Sequence, residues 1–253
     1  MSLSLLNRRK PLRWRTGAPH SAPAAVLHGV IFDLDGVLLG TDRLHFAAWQ
    51  QLSTELGLPF TEETNHHLRG ISREESLRTI YRLAGRPGPD AAALTAQCAR
   101  KNAHYLGLVD RMTAADVFPG AVELLHELRE ARISIGIASA SRNCRIVLER
   151  TGLQRFIDAV CDGNDVTVTK PDPQVFLLAA HRLGVPPSNC IGIEDAATGI
   201  ESIHRAGMAA VGIGPQAAAG DLCVSAIGEV TIDLLRTTLA SRVVIGVAPA
   251  TSA

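Results

Sequence analysis

The chain has 253 residues, 46% hydrophobic and 20% charged, enough to bury a substantial core. Its 25 lysines and arginines balance 25 aspartates and glutamates, which removes the electrostatic case for nucleic acid or an anionic membrane as partner. No apolar run reaches the roughly 20 residues of a spanning helix, and five scattered cysteines without CxxC or Cys/His pairing suit a reducing, cytoplasmic compartment better than a disulfide or zinc framework.

Residues 1–27 carry Arg8, Arg9, Lys10, Arg13 and Arg15, and no acid precedes Asp33. They lack an amphipathic period and an apolar signal core, so a disordered basic leader is expected. Val26-Leu27 and Val30-Ile31-Phe32 then form an apolar, β-branched run that suits a strand buried on both faces. It ends in Asp33, Asp35 and the turn residue Gly36. A lone Asp-x-Asp more often caps or turns a chain than catalyses, so its role depends on the other residues.

Leu44, Ala48, Leu52 and Leu56 predict a helix over 41–56 that stops at Gly57. Thr41, His45 and Trp49 share a neighbouring stripe of that helix. Further helix is expected over 61–81, interrupted at 68–73, where Ser72 and Glu75 have capping-box spacing. A third helical stretch opens at Asp90 and runs through Lys101 and Tyr105. No strand signal falls between Gly40 and Val117.

From Pro119 onward helices are expected over 121–131, 143–151, 173–183 and 197–206, alternating with strands over 133–138, 159–161, 190–193 and 209–213. Such alternation implies right-handed βαβ units and a Rossmann-like α/β fold with a parallel sheet. The expected organisation is a core of residues 28–40 and 116–240, an inserted helical cap over 41–115, and an unstructured or loosely docked tail over 241–253.

Polar residues collect after the strands: Asp33 and Asp35, then Ser139, then Lys170, then Glu194 and Asp195. In a parallel sheet these ends lie along one edge and converge on one crevice. Four acids together need a cation, and Mg²⁺ suits oxygen ligands beside a phosphoryl group. A lysine and a hydroxyl next to that metal describe an anion site.

The stretches DLDGV, ASASRN, TKPDP and GIEDAATGI stand in the order and approximate spacing of the haloacid dehalogenase superfamily. With the insert stretches TDRLHFAAW, LRGISREESL and RKNAHY, residues 28–235 most resemble its β-phosphoglucomutase family. The resemblance implies that Asp33 is the nucleophile that becomes an aspartyl phosphate, Asp35 the general acid and base, and Ser139 and Lys170 phosphate-holding groups. It implies an Mg²⁺ site of Asp33, the Asp35 backbone carbonyl, Glu194 and Asp195. Ala140, Ser141, Arg142 and Asn143 would grip the phosphate that is not transferred. Arg73 would bind phosphate from the cap, Gly70, Ile71 and Ser72 the sugar, and Trp49 and Lys101 further substrate atoms. Thr41 and His45 would be hinge residues that place the acid/base. The implied activity is a monomeric phosphomutase acting on a phosphosugar through a bisphosphate intermediate, with a sugar-phosphate phosphatase as the alternative. The chain departs from the family pattern at Gly40, where an acid is usual, and at Arg69 and Arg142, where lysine is usual.

Overall fold

The computed structural model describes residues 26–68 and 71–245. The expected leader lies outside them except for Val26 and Leu27, and Leu27 already packs into the core.

Six strands form one parallel sheet: β1 (Gly29–Phe32), β2 (Ser134–Ala138), β3 (Ala159–Cys161), β4 (Cys190–Glu194), β5 (Ala209–Ile213) and β6 (Leu222–Val224). Their spatial order is β3-β2-β1-β4-β5-β6. The chain therefore winds outward one way from β1, then returns to its other side at β4. That reversal opens a crevice at the carboxyl ends of β1 and β4, where such sheets take ligands.

Alternate residues of the strands feed two apolar layers, as the pleat requires. Val30, Phe32, Ile135, Ile137 and Ile193 face α5 (Ala121–Glu130), α6 (Cys144–Arg150) and α9 (Ile232–Ile245). Ile31, Ala138 and Ala210 face α7 (Gln174–Leu183) and α8 (Ala197–Arg205). Each fully buried Ile, Leu or Phe contributes about 1.5–3 kcal/mol, so the central strands, covered on both faces, are the firmest part of the molecule.

Between β1 and β2 lie α1 (Asp42–Glu55), α2 (Glu62–His66), α3 (Arg73–Leu83) and α4 (Ala91–Val109). Two of their N-termini fall where the sequence puts them: Ser72 accepts from the Glu75 amide at 3.2 Å, one half of the expected capping box, and Asp90 from the Ala93 amide at 2.8 Å. These helices have an apolar cluster of their own, built on Trp49, Leu52, Leu77, Ile80 and Leu94. The chain enters and leaves them side by side. Leu39 and Val117 form an antiparallel bridge, and the Phe118 amide donates to the Leu38 carbonyl at 2.9 Å. Gly40 sits against this gate, where a Cβ would stand 3.2 Å from the Phe118 ring. A side chain there would need that ring to give by a few tenths of an ångström, so glycine leaves the gate its closest fit.

Two elements differ from expectation. The strand Leu222–Val224 carries no sequence signal. The tail expected from residue 241 is helical as far as Ile245, because Leu235 and Leu239 dock against the sheet and carry the helix with them.

Candidate active site

The register of the sheet assembles the site. Phe32 pairs with Ile137 on one side and Ile193 on the other, so Asp33 and Glu194 emerge together at the top of neighbouring strands. The Asp33 amide donates to the Ile193 carbonyl at 2.9 Å, and the Ser139 amide to the Cys161 carbonyl at 3.0 Å, which extends the ladder to the crevice floor. Lys170 arrives from the loop before α7. Its Nζ donates to Asp33 Oδ1 at 2.5 Å and lies 3.6 Å from Glu194 Oε1.

Asp33, Glu194 and Asp195 offer carboxylate oxygens that lie within 4.8 Å of one another. Burial first, then the Asp33 charge, pushes Glu194 well above the usual carboxylate range and Asp195 up to about 6. Lys170 relieves only part of this repulsion. Burial works against its charge, but Asp33 and Glu194 outweigh that and drive its pKa upward. Glu194 Oε2 is buried with no hydrogen-bond partner. A bare, buried oxygen in an all-oxygen donor set is what a small hard cation would satisfy.

Two glycines leave this space open. A Cβ on Gly36 would stand 2.1 Å from Asp195 Oδ2, and one on Gly199 1.8 Å from Glu194 Oε1. Gly36 also needs its left-handed φ of +84° to turn the chain back toward Leu39, whose carbonyl accepts from the Gly36 amide at 2.8 Å.

The Asp35 carboxylate stands apart from this cluster, taking a hydrogen bond from the Thr41 hydroxyl at the start of the helical insert. Burial, followed by the charge of Asp33, raises it to about 7. Two aspartates two residues apart thus have separate environments, one held by an ammonium and one able to carry a proton near neutrality.

The 139–143 loop closes the far side. Ser139 Oγ accepts from the Ser141 amide at 3.1 Å and Ser141 Oγ from the Asn143 amide at 3.2 Å. Two residues that sequence reasoning missed hold it from below: the Gly163 amide donates to the Ser141 carbonyl at 3.2 Å, and Asn164 Nδ2 to the Arg142 carbonyl at 2.9 Å. A third, Asn102, accepts from Asn143 Nδ2 at 2.9 Å and so ties the insert to this loop. Asn102 stands in the RKNAHY stretch, next to Lys101.

Above the crevice, the insert presents cations. Lys101 is buried, with Nζ 2.8 Å from His45 Nδ1 and over the rings of Trp49 and Tyr105 at 4.9 and 5.0 Å. Burial and then neighbouring Arg73 lower Lys101 to about 7. The same burial, with Lys101 and Arg73, lowers His45, leaving it a neutral acceptor for the ammonium. Arg73 is half-buried, its charge disfavoured by burial and by Arg142 of the core loop. Neither Lys101 nor Arg73 is ion-paired among the described residues.

The remaining expected residues contribute unevenly. Gly70 and Arg69 lie outside the described residues. Ile71 is exposed, and the Ser72 hydroxyl is already used as the cap of α3. Ala140 and Arg142 are exposed on the loop that carries Ser141. Trp49 packs in the core of the insert as well as under Lys101.

A family model described as haloacid dehalogenase-like hydrolase matches residues 27–207. The chain is 40% identical to a β-phosphoglucomutase of Bacillus subtilis over 83% of this chain and 94% of that protein. It is 31% identical to a fructose-1-phosphate phosphatase of Escherichia coli, over 73% of this chain and 95% of that one. The crystal structure of a β-phosphoglucomutase from Clostridium difficile superposes with a TM-score of 0.81 at 33% identity, covering 87% of this chain and all of that one.

Proposed function

The chain belongs to the haloacid dehalogenase-like hydrolases, and from that premise we propose that it is a phosphomutase interconverting β-D-glucose 1-phosphate and D-glucose 6-phosphate through β-glucose 1,6-bisphosphate. What supports this reading is two groups of cations on two parts of the chain: Lys170 on Asp33 in the core, and Lys101 and Arg73 in the insert, with Arg142 acting on Arg73. A phosphatase needs only the core group. A bisphosphate that presents either end to the same aspartate needs both.

Asp33 attacks phosphorus, the bond from phosphorus to the sugar oxygen breaks, and Asp35 delivers its proton to the departing oxygen. The second half runs in reverse: Asp35 removes a proton from the other sugar hydroxyl, which takes the phosphoryl group from Asp33. Lys170 holds Asp33 by a hydrogen bond and balances charge on the phosphoryl oxygens, while the Ser139 hydroxyl donates to them. Asp33, Glu194 and Asp195 would hold Mg²⁺, with the Asp35 carbonyl as a further ligand; the ion supplies positive charge opposite the phosphoryl oxygens. The helical insert acts as the cap, and its seating over the crevice keeps water from the aspartyl phosphate. No step calls for a second subunit, and five free thiols, four of them buried, suit a cytoplasmic setting.

The second reading, a sugar-phosphate phosphatase, is favoured by the 31% identity to the fructose-1-phosphate phosphatase, which spans 95% of that protein. Phosphorus NMR of the purified chain with Mg²⁺, β-glucose 1-phosphate and a trace of bisphosphate separates the two. Conversion to glucose 6-phosphate without free phosphate is expected. Steady accumulation of inorganic phosphate would replace the mutase by the phosphatase.

A further inference from the structure

Lys10, Lys101 and Lys170 are the three lysines of the chain. Lys170 comes from a stretch with no regular structure, since residues 162–173 between β3 and α7 form neither helix nor strand. Yet its Nζ meets acids at the ends of two different strands, Asp33 after β1 at 2.5 Å and Glu194 of β4 at 3.6 Å. The ammonium also stands 5.0 Å from the centre of the Phe176 ring, which is fully buried on α7. A displacement of about 1 Å would break one of these contacts, and misplacement on that scale can cost about 10²-fold in rate. Strand register does not reach this loop, so other groups must hold it.

Lys170 is the second residue of a turn that the Asp172 amide closes on the Thr169 carbonyl at 3.0 Å. Each flank of the turn is gripped by a side chain from a different helix. On the entry side, Gln174 Oε1 at the start of α7 accepts from the Thr167 amide at 3.0 Å and the Val168 amide at 3.2 Å. On the exit side, Ser202 Oγ within α8 donates to the Asp172 carbonyl at 2.7 Å. Asp172 Oδ1 in turn accepts from the Gln174 amide at 2.9 Å, which ties the turn to the first residue of α7.

Ser202 has no exposure. A serine inside a helix ordinarily points to solvent or bonds the carbonyl four residues back, but Ser202 gives its proton to another element. Its helix also follows Glu194 and Asp195 directly, so this bond sets the turn relative to the acids that Lys170 meets. Gln174 serves both amides with its oxygen, so the position calls for an acceptor.

We propose that Gln174 and Ser202 are positioning residues for Lys170. They clamp the turn 169–172 from both sides and so fix the ammonium between Asp33 and Glu194. Both act through backbone groups of the turn, not on the phosphoryl group. This rests on the reading of Lys170 as the lysine of a phosphoryl-transfer site.

The test compares Gln174→Met, Gln174→Glu and Ser202→Ala in the full chain, each also combined with Lys170→Met. Brief treatment with acetic anhydride, read by mass spectrometry, reports how accessible each lysine is. Gln174→Met and Ser202→Ala should raise the labelling rate of Lys170 severalfold and leave Lys101 at its wild-type rate, whereas general loosening of the fold would raise both. Turnover of β-glucose 1-phosphate with Mg²⁺ and bisphosphate is counted as glucose 6-phosphate plus inorganic phosphate, so it does not depend on which product forms. Either substitution should lower kcat about tenfold with KM little changed, and cause no further loss when Lys170→Met is present. Gln174→Glu should match wild type in both measurements, because a carboxylate accepts from the same two amides.

Lys170 labelling at the wild-type rate, or a rise shared with Lys101, would overturn the clamp whatever phosphosugar the chain turns over. Unchanged kcat, an equal loss in both backgrounds, or Gln174→Glu as impaired as Gln174→Met would overturn it too. Wild-type turnover in Lys170→Met would remove Lys170 from the chemistry and the positioning role with it. Impaired Lys170→Met beside intact Gln174→Met and Ser202→Ala would leave the site standing and sink only the clamp.

Discussion

The floor and the roof of the crevice are built on opposite charge deficits. On the floor, Asp33, Glu194 and Asp195 crowd together with one lysine, and the pKa values of Glu194 and Asp195 rise. In the roof, Lys101 and Arg73 crowd together with a neutral histidine and two aromatic rings, and their pKa values fall. The floor has one lysine for three acids, and the roof sets two cations side by side. On the proposed reading, a divalent metal and a phosphorylated ligand would offset these two imbalances. The floor is fixed by strand register, the roof by helix packing, and the two should fail differently.

The sharpest break comes on the floor. Asp33→Asn should cut turnover by at least about 10⁴-fold while leaving the melting temperature near wild type, measured by the coupled formation of glucose 6-phosphate. Lys170→Met should cost about 10²–10³-fold in kcat and make thermal stability depend on added Mg²⁺, because nothing else then offsets Asp33 and Glu194. Stability that ignores Mg²⁺ would count against the cation-deficit account. Gly36→Ala places a methyl against Asp195 and strains a left-handed residue; calorimetric titration should show Mg²⁺ affinity lowered about 10- to 100-fold.

The roof is tested by pH. The Lys101 pKa is about 7 in the folded chain against an ordinary value near 10.5, so between these values the unfolded chain binds more protons. Folding stability should therefore rise with pH across that window, by a few kcal/mol on the order-of-magnitude scale of such shifts, and be flat below it. Lys101→Met should abolish the rise, read as urea midpoints at pH 7 and pH 9.5; a variant that still shows the full rise would clear Lys101. The smallest effect is expected where charge is solvated. Arg150 and Asp110 pair at 2.7 Å between α6 and α4, both about half exposed, and Arg150→Ala should change stability by about 0.5 kcal/mol or less. A loss several times larger would show that this pair clamps roof to floor.

The floor is readable in the sequence because each member ends or follows a strand: the apolar run breaks at Asp33, Ser139 and Glu194, and register does the rest. The roof is readable only in part. Lys101 and Trp49 can be placed on helices, but that their heads meet His45 depends on how α1 packs on α4, which no local pattern states. Asn102, Gly163 and Asn164 are missed for the same reason, each acting through a contact between elements. The helix Ile232–Ile245 is missed because Thr237, Thr238, Val243 and Val244 weaken its intrinsic preference, and docking of Leu235 and Leu239 supplies what propensity does not. The edge strand Leu222–Val224 has three residues, half-exposed or exposed, and so shows neither alternation nor an apolar run.

The bridge between Leu39 and Val117 joins the two ends of the helical insert as closely as a hairpin joins its strands. Because its ends meet, the insert could grow, shrink or be exchanged without moving any strand of the sheet, since loop closure depends only weakly on length. On the proposed function, the core would supply a fixed phosphorylating tool, and the insert a replaceable jig that selects the workpiece. Mutase and phosphatase relatives of similar length can thus diverge by re-tooling one module at a single seam.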